Sequence, residues 1–297
     1  MRTVLLTGAT GFVGSAVAPA LAAAGWTVRA DSRRLTPDAD WSDALRGAAA
    51  VVHLAARAHR LADGPAQAGE YRRVNAEATE TLGRAAAAAG CRFVFLSSVK
   101  AVGEATPPGR PWNEDAPCVP EDAYGSSKLD AERRLAAVAG LSWCALRPPL
   151  VYGPGVKANF LRLVTAVDRG VPLPLATVDN RRSLLFVGNL ASAVVRALEV
   201  PKAVGPFFIR DGEDLSTPEL LRRMAAALGR PSRVFPFPLP LLRAGASLLG
   251  RGPEADRLLG DLAVDDARLR AALDWTPPFT VDQGLAAVAR WYREGAG

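Results

Sequence analysis

Hydrophobic positions along the chain fall into short unbroken runs separated by longer amphipathic stretches. RTVLLTG (residues 2–8) is an apolar run closed by glycine, which predicts a buried parallel strand. FVGSAVAPALAAAG has helical character and stops at Gly25, a C-cap residue type. WTVRAD reads as a second strand, WSDALRG as a short helix with Ser42 near its start, and AAVVHLAA (49–56) as a third strand. A long alanine-rich helix is predicted from about residue 66 to 89, ending at Gly90. CRFVFLSS is a fourth strand, DAYGSSKLDAERRLAAVAG a helix, and LSWCALRPPLVYG a strand running into a loop. Repetition of strand and helix implies right-handed crossovers and a doubly wound parallel sheet with helices on both faces. After about residue 155 the rhythm weakens into proline-rich turns such as RGVPLPLATVDNRRS and RVFPFPLPLL. The expected division is a sheet domain over 1–155, with later segments returning to it, and a smaller lobe made mainly of 156–297.

Composition narrows the function. The 297 residues suit an α/β domain with a smaller lobe, and 49% apolar residues suffice for a real core. The net charge of +6 is scattered, with no basic run longer than two. That argues against nucleic acid and fits acidic small ligands such as diphosphates. Cys91, Cys118 and Cys144 lack metal-ligand spacing and are odd in number, so neither a disulfide framework nor a metal site is expected. Strand-like sequence from the second residue leaves no room for a signal peptide. The apolar stretch FPFPLPLLRAGASLLG is broken by three prolines and Arg243, so no membrane span is expected. These readings predict a soluble, cytoplasmic protein.

TGATGFVG places Gly8, Gly11 and Gly14 between a strand and a helix. Glycines there permit a tight turn and close approach of a diphosphate to the helix N-terminus. In this strand–turn–helix context the pattern marks a Rossmann-type dinucleotide site, with Phe12 and Val13 contributing backbone. Cofactor choice lies at the end of the second strand, in RADSRR. Asp31 suits a ribose diol, whereas Ser32, Arg33 and Arg34 suit a 2′-phosphate. The arginines favour NADP, with NAD the alternative.

In AYGSSKLDAE, Tyr124 stands four residues before Lys128, on the same face of a helix. A free phenol is a poor base near neutrality. An adjacent ammonium favours the phenolate and is expected to lower its pKa. FLSSVKAVGE ends a strand with Ser97 and Ser98, at the sheet edge where ligands of open α/β folds bind. Asn75 is positioned to tie the long helix to the sheet.

Together, TGATGFVG, VVHLAA, VNAEAT, LSSVKAVGE, YGSSK and LRPPLVYGPG resemble the extended short-chain dehydrogenase/reductase family, in its nucleotide-sugar epimerase, dehydratase and reductase branch. The resemblance spans nearly the whole chain. It implies that Tyr124 donates and accepts the proton, Lys128 binds the nicotinamide ribose, and Ser98 bonds the reacting oxygen. It further implies that Leu54, Ala55, Ala56 and Pro148 line the cofactor, that Asn75 is structural, and that the chain forms a homodimer through paired long helices. In the C-terminal lobe, Asn159, Arg182 and Arg257 correspond to residues that contact the sugar or its diphosphate, although Arg257 sits one residue off the family spacing.

Departures from the family narrow the reaction. The 4,6-dehydratases carry an Asp-Glu pair where this chain has Val99 and Lys100, so water elimination is excluded. Lys100 is a candidate substrate contact. The expected activity is NAD(P)-dependent 4-ketoreduction of a nucleotide-diphosphate sugar, for example a UDP-linked 4-keto-6-deoxy-hexosamine; the alternative is a UDP-hexose or UDP-N-acetylhexosamine 4-epimerase. A non-catalytic NADP-binding sensor is disfavoured because Tyr124 and Lys128 are both present. His53 reads as a packed histidine, while Arg57 and His59 lie within reach of substrate.

Overall fold

Apolar runs become parallel strands because both faces of the sheet are covered. The computed structural model describes residues 2–57, 67–248, 250 and 252–295. Its first half comprises β1 (Arg2–Thr7), α1 (Phe12–Ala23), β2 (Trp26–Asp31), α2 (Ser42–Leu45), β3 (Ala48–His53), α3 (Ala68–Arg72), α4 (Ala78–Ala88), β4 (Arg92–Leu96), α5 (Ala123–Ala136) and β5 (Trp143–Arg147). The second half comprises β6 (Leu150–Tyr152), α6 (Ala158–Asp168), β7 (Arg182–Phe186), α7 (Val187–Glu199), β8 (Gly205–Phe208), β9 (Asp214–Leu215), α8 (Thr217–Ala227), α9 (Leu239–Leu248), α10 (Gly252–Leu259), α11 (Ala267–Leu273) and α12 (Val281–Glu294).

The main sheet has the order β2-β1-β3-β4-β5-β8, parallel throughout. Side chains alternate across it. Val4, Leu6, Val52, Val94 and Leu146 join a core with Val17, Leu21, Leu190 and Val194 of α1 and α7. Leu5, Val51, Phe93, Phe95 and Ala145 join the opposite core with Leu82 and Leu135 of α4 and α5. Each fully buried aliphatic or aromatic side chain contributes roughly 1.5–3 kcal/mol relative to exposure.

A second sheet has the order β6-β7-β9. Its core joins Tyr152, Phe160, Val164, Leu184, Phe186, Leu221, Met224, Leu285 and Val288, largely from α6, α8 and α12. α8 starts on a Ser216 cap and α12 on a Thr280/Gln283 capping box, so both helices begin with their orphan N–H groups partly satisfied. Among the described residues, no helix is long and apolar enough to cross a membrane.

The single long helix expected up to residue 89 is instead α3, a π-turn (Arg73–Glu77) and α4. Such a turn winds one extra residue into the helix. It carries Asn75 inward, where the side chain is almost fully buried.

Candidate active site

Sheet order reverses between β1 and β3, and their carboxyl ends open a crevice there. Gly8 leaves β1 with φ of +75°, a left-handed conformation that glycine adopts readily. A Cβ on Gly8 would lie 2.7 Å from the backbone nitrogen of Ala55. A Cβ on Gly14 would lie 2.1 Å from the carbonyl oxygen of Gly8. Both glycines are thus required by the packing of the loop itself. Gly11 precedes α1 with no side-chain cap, which leaves the helix N-terminus to face an anion with its own N–H groups. Phe12 packs on the lobe core and Val13 on the sheet core, so each offers backbone to the loop. After β3, Leu54 N–H donates to the Thr7 carbonyl and Ala55 N–H to the Thr7 hydroxyl.

At the end of β2, Arg33 turns back onto Asp31. Arg33 donates through Nε to both Asp31 carboxylate oxygens, at 2.9 and 3.0 Å, and its Nη2 lies 2.8 Å from Oδ2. It also lies over the Trp41 ring and donates to the Asp40 carbonyl. Its charge is therefore already compensated inside the loop. Burial tends to raise the Asp31 pKa, but hydrogen bonds and charge from Arg33 hold it below the usual carboxylate range. Ser32 is exposed. Arg34 instead lines a cavity of about 300 Å³ with Leu35, Ala55, Ala56, Arg57, Glu70 and Val74.

The catalytic candidates meet at the ends of β4 and α5. Ser98 begins a short 3₁₀ turn (Val99–Ala101), its hydroxyl accepting from Lys100 N–H. Asp122 caps α5 by accepting from Gly125 N–H at 2.6 Å. Tyr124 is partly exposed, its ring edge-on to Tyr71 at 6.2 Å, and Ser98 hydrogen-bonds its hydroxyl. Lys128 is 2% exposed and donates to the Leu96 carbonyl at 2.9 Å. Its ammonium lies 4.6 Å above the Phe95 ring and 5.8 Å from the Tyr124 ring centre.

The expected lowering of the phenol pKa does not come from the protein alone. Burial pushes Tyr124 up to about 12, reinforced by the Asp122 charge and by Tyr71 and opposed by the Ser98 bond. Burial also pushes Lys128 down to about 7, against the attraction of Glu132. Desolvation outweighs the 5.8 Å ammonium–ring proximity in both cases. His53 is fully enclosed between Thr7 and Thr79 and is pushed down to about 3 by burial and by the Lys128 charge, so it stays neutral.

Asn75 ties different parts together than expected. Its Oδ1 accepts from Arg57 N–H at 2.7 Å, and its Nδ2 donates to the Arg57 carbonyl and the Ser127 hydroxyl, each at 3.1 Å. It joins the loop after β3 to α5, on the helix that bears Tyr124 and Lys128. Pro148 is buried, and its carbonyl receives Val99 N–H. His59 lies outside the described residues.

Among the substrate-side candidates, Lys100 sits between Glu104 at 2.7 Å and Asp122 at 2.6 Å. Arg257 on α10 reaches the same Glu104 at 3.1 Å. Arg182 starts β7 and donates to the Gly260 carbonyl at 3.0 Å; burial lowers its pKa, with Asp261 opposing. Asn159 is exposed in the first turn of α6. Alternating charge thus runs from Arg257 through Glu104 and Lys100 to the cap of the helix that bears Tyr124. Arg182 stands apart, bonded to the loop that follows α10.

The pattern-based reading missed three supports. Gly125 packs on the Lys100 carbonyl, Asp122 caps α5, and Glu132 pairs with Arg147. A sequence signal existed for the first two, a Ser/Asp-type cap followed by glycine in a first helical turn. Glu132 lies in DAERR and looks like a solvated helix face.

The family model for the NAD dependent epimerase/dehydratase family matches residues 4–208. The chain belongs to the NAD-dependent epimerase/dehydratase family. The match runs from β1 to β8 and so covers the glycine loop, Ser98, Tyr124 and Lys128. Within curated proteins, the chain is 37% identical to a UDP-glucose 4-epimerase of Vibrio cholerae over 311 aligned positions, covering 97% of this chain and 95% of that one. In solved structures, UDP-N-acetylglucosamine 4-epimerase from Bacillus cereus shares the fold with a TM-score of 0.80 at 22% identity, covering 99% and 100% of the two chains. MoeE5 in complex with UDP-glucose and NAD is similar at 27% identity and a TM-score of 0.77, with both chains fully covered. The glycine loop fits the dinucleotide that gives this family its name: its turn runs directly into a helix start with no side-chain cap.

Proposed function

We propose that the protein is an NAD-dependent 4-epimerase of a UDP-hexose or UDP-N-acetylhexosamine. The observation that carries this is full-length similarity to a UDP-glucose 4-epimerase, together with Ser98, Tyr124 and Lys128 gathered at the crevice. The Asp31–Arg33 pair supports NAD over NADP, because the arginine that suggested a 2′-phosphate is already neutralised.

The bound nicotinamide would supply a hydride acceptor that returns the hydride to the same carbon. The protein does the rest. Tyr124 takes the proton of the C4 hydroxyl as the carbon is oxidised and gives one back after the sugar turns over. The Ser98 hydroxyl orients that oxygen. Lys128 holds the ribose and, once protonated, favours the phenolate. Loop residues Gly8, Gly11, Phe12, Val13 and Gly14 hold the diphosphate with backbone N–H groups, and Ala55 and Ala56 wall the crevice. On the substrate side, Arg182 and Arg257 meet the sugar-linked diphosphate, where planar guanidinium groups suit phosphate oxygens, and Asn159 contacts the sugar. The expected assembly is a homodimer.

A 4-ketoreductase is the second reading. It is favoured by Arg34, which lines the cavity beside Ala55 and Ala56 and could take a 2′-phosphate.

The test is to denature the purified protein, identify any released nicotinamide by mass, and assay UDP-galactose and UDP-N-acetylgalactosamine for conversion to their glucose-series epimers. Stoichiometric NAD⁺ and interconversion support the epimerase. Failure of both, with selective NADPH binding and reduction of a UDP-4-keto sugar, moves the protein to the reductase reading.

A further inference from the structure

Behind the catalytic pair lies a buried ion pair that the proposed reaction does not use directly. Glu132 follows Lys128 by four residues on α5, the same helical face. Arg147 ends β5 and grips Glu132 with Nε at 3.0 and 3.2 Å and Nη2 at 2.5 Å. Both side chains are 4% exposed. The Ser97 hydroxyl donates to Glu132 at 2.5 Å, so the carboxylate also holds the end of β4, next to Ser98.

Every arm of this cluster is one step from a residue of the site. Ser97 precedes Ser98, Glu132 is one turn beyond Lys128, and Arg147 precedes Pro148. Burying such a pair gains little net stability, because desolvation offsets most of the attraction. A hydrophobic pair would fill the same space, so the charge points to a role beyond packing.

The groups around Lys128 show what that role is. His53 approaches from β3 but is neutral. From β4 come the Phe95 ring and the Leu96 carbonyl. From α5 come Tyr124 and Glu132; from α3, Tyr71 packs edge-on to Tyr124. Arg147, from β5, faces Glu132 and lies over the Phe208 ring of β8. Within this set Glu132 is the anion: it lies one helical turn from Lys128, and its partner Ser97 follows Leu96, whose carbonyl receives the ammonium, so its charge favours the charged amine without direct contact.

We propose that Glu132 is a positioning residue: held in place by the two-pronged grip of Arg147, it raises the fraction of Lys128 that is charged. The assignment rests on the catalytic reading of Tyr124 and Lys128. Its test needs neither substrate nor cofactor, so the two ideas fail separately.

The chain has four lysines, Lys100, Lys128, Lys157 and Lys202. Carbon-13 labelling at lysine Cε therefore gives a four-line spectrum, in which Lys128→Met identifies the Lys128 signal. The wild-type signal should titrate near 7. In Glu132→Gln its midpoint should fall by at least about one pH unit, and Ser97→Ala, which keeps the ion pair, should leave it within about 0.3 unit. If Glu132→Gln does not fold, the neutral double variant Glu132→Gln/Arg147→Met removes the stranded charge and should show a fall in the same direction, smaller because a cation is lost with the anion. In turnover, loss of Glu132 should shift the high-pH limb of kcat/KM downward by the same amount, whereas a merely structural role would scale the profile without moving it. A Lys128 midpoint unchanged in folded Glu132→Gln, or in the double variant, overturns the assignment.

Discussion

Gly125 lies directly against the carbonyl of Lys100: a Cβ on Gly125 would stand 2.2 Å from that oxygen. This contact lets the first turn of α5 press on the 3₁₀ turn after β4, and it sets Tyr124 beside Ser98. The obstructing atom is backbone, so it does not swing aside as a flexible side chain would. Gly125→Ala should therefore push α5 outward. The expected result is a loss of kcat of at least about 100-fold, since small misplacements of reacting groups are costly. Dinucleotide affinity should fall far less than turnover, because the glycine loop is untouched and only Lys128 moves with the helix. Steady-state kinetics and a fluorescence titration with NADH read the two effects.

Tyr124→Phe removes the proton donor and keeps the ring that packs on Tyr71. Turnover should fall by roughly 10²–10⁴-fold, with nucleotide binding preserved. Turnover equal to wild type would sink the catalytic assignment.

Asp31 sets the charge of the cofactor loop by holding Arg33. Asp31→Ala should release that guanidinium and remove the acceptor for a ribose diol. Titration with NADH and NADPH should show the NADPH/NADH affinity ratio rising by at least about tenfold. An unchanged ratio would show that the loop does not contact the ribose.

His53 predicts a pH dependence of stability. Its pKa is about 3 in the folded protein, against 6.5 for the free side chain. Between those values the unfolded chain holds a proton that the folded one excludes. Stability is therefore full above pH 6.5 and falls as pH drops through the window. From pH 7.5 to 5 the loss from this group is about 2 kcal/mol. Denaturant melts at the two pH values should show it, and His53→Gln should flatten the slope over that range.

Much of the sheet was legible in the sequence because both of its faces are buried, which leaves strands as plain apolar runs. Gly8, Gly11 and Gly14 were legible because tight loops need residues that few other side chains can replace. The Asp31–Arg33 pair was not legible, because a sequence pattern does not show which way a guanidinium folds. Glu132 and Arg147 escaped for a related reason: in DAERR and CALRPP nothing marks a charge as inward-facing. The π-turn was silent because one extra helical residue leaves the surrounding apolar pattern almost unchanged.

That same turn separates architecture from activity. A π-turn absorbs its additional residue locally, so the helix on either side keeps its face toward the sheet. Leu82 and Ala86 are packed on one side of the insertion and Tyr71 on the other. The chain thus carries one residue of removable length: excising it would leave a regular helix with both packed faces in phase, but would draw Asn75 away from Arg57 and Ser127. The domain would keep its shape while the wall of its crevice came loose.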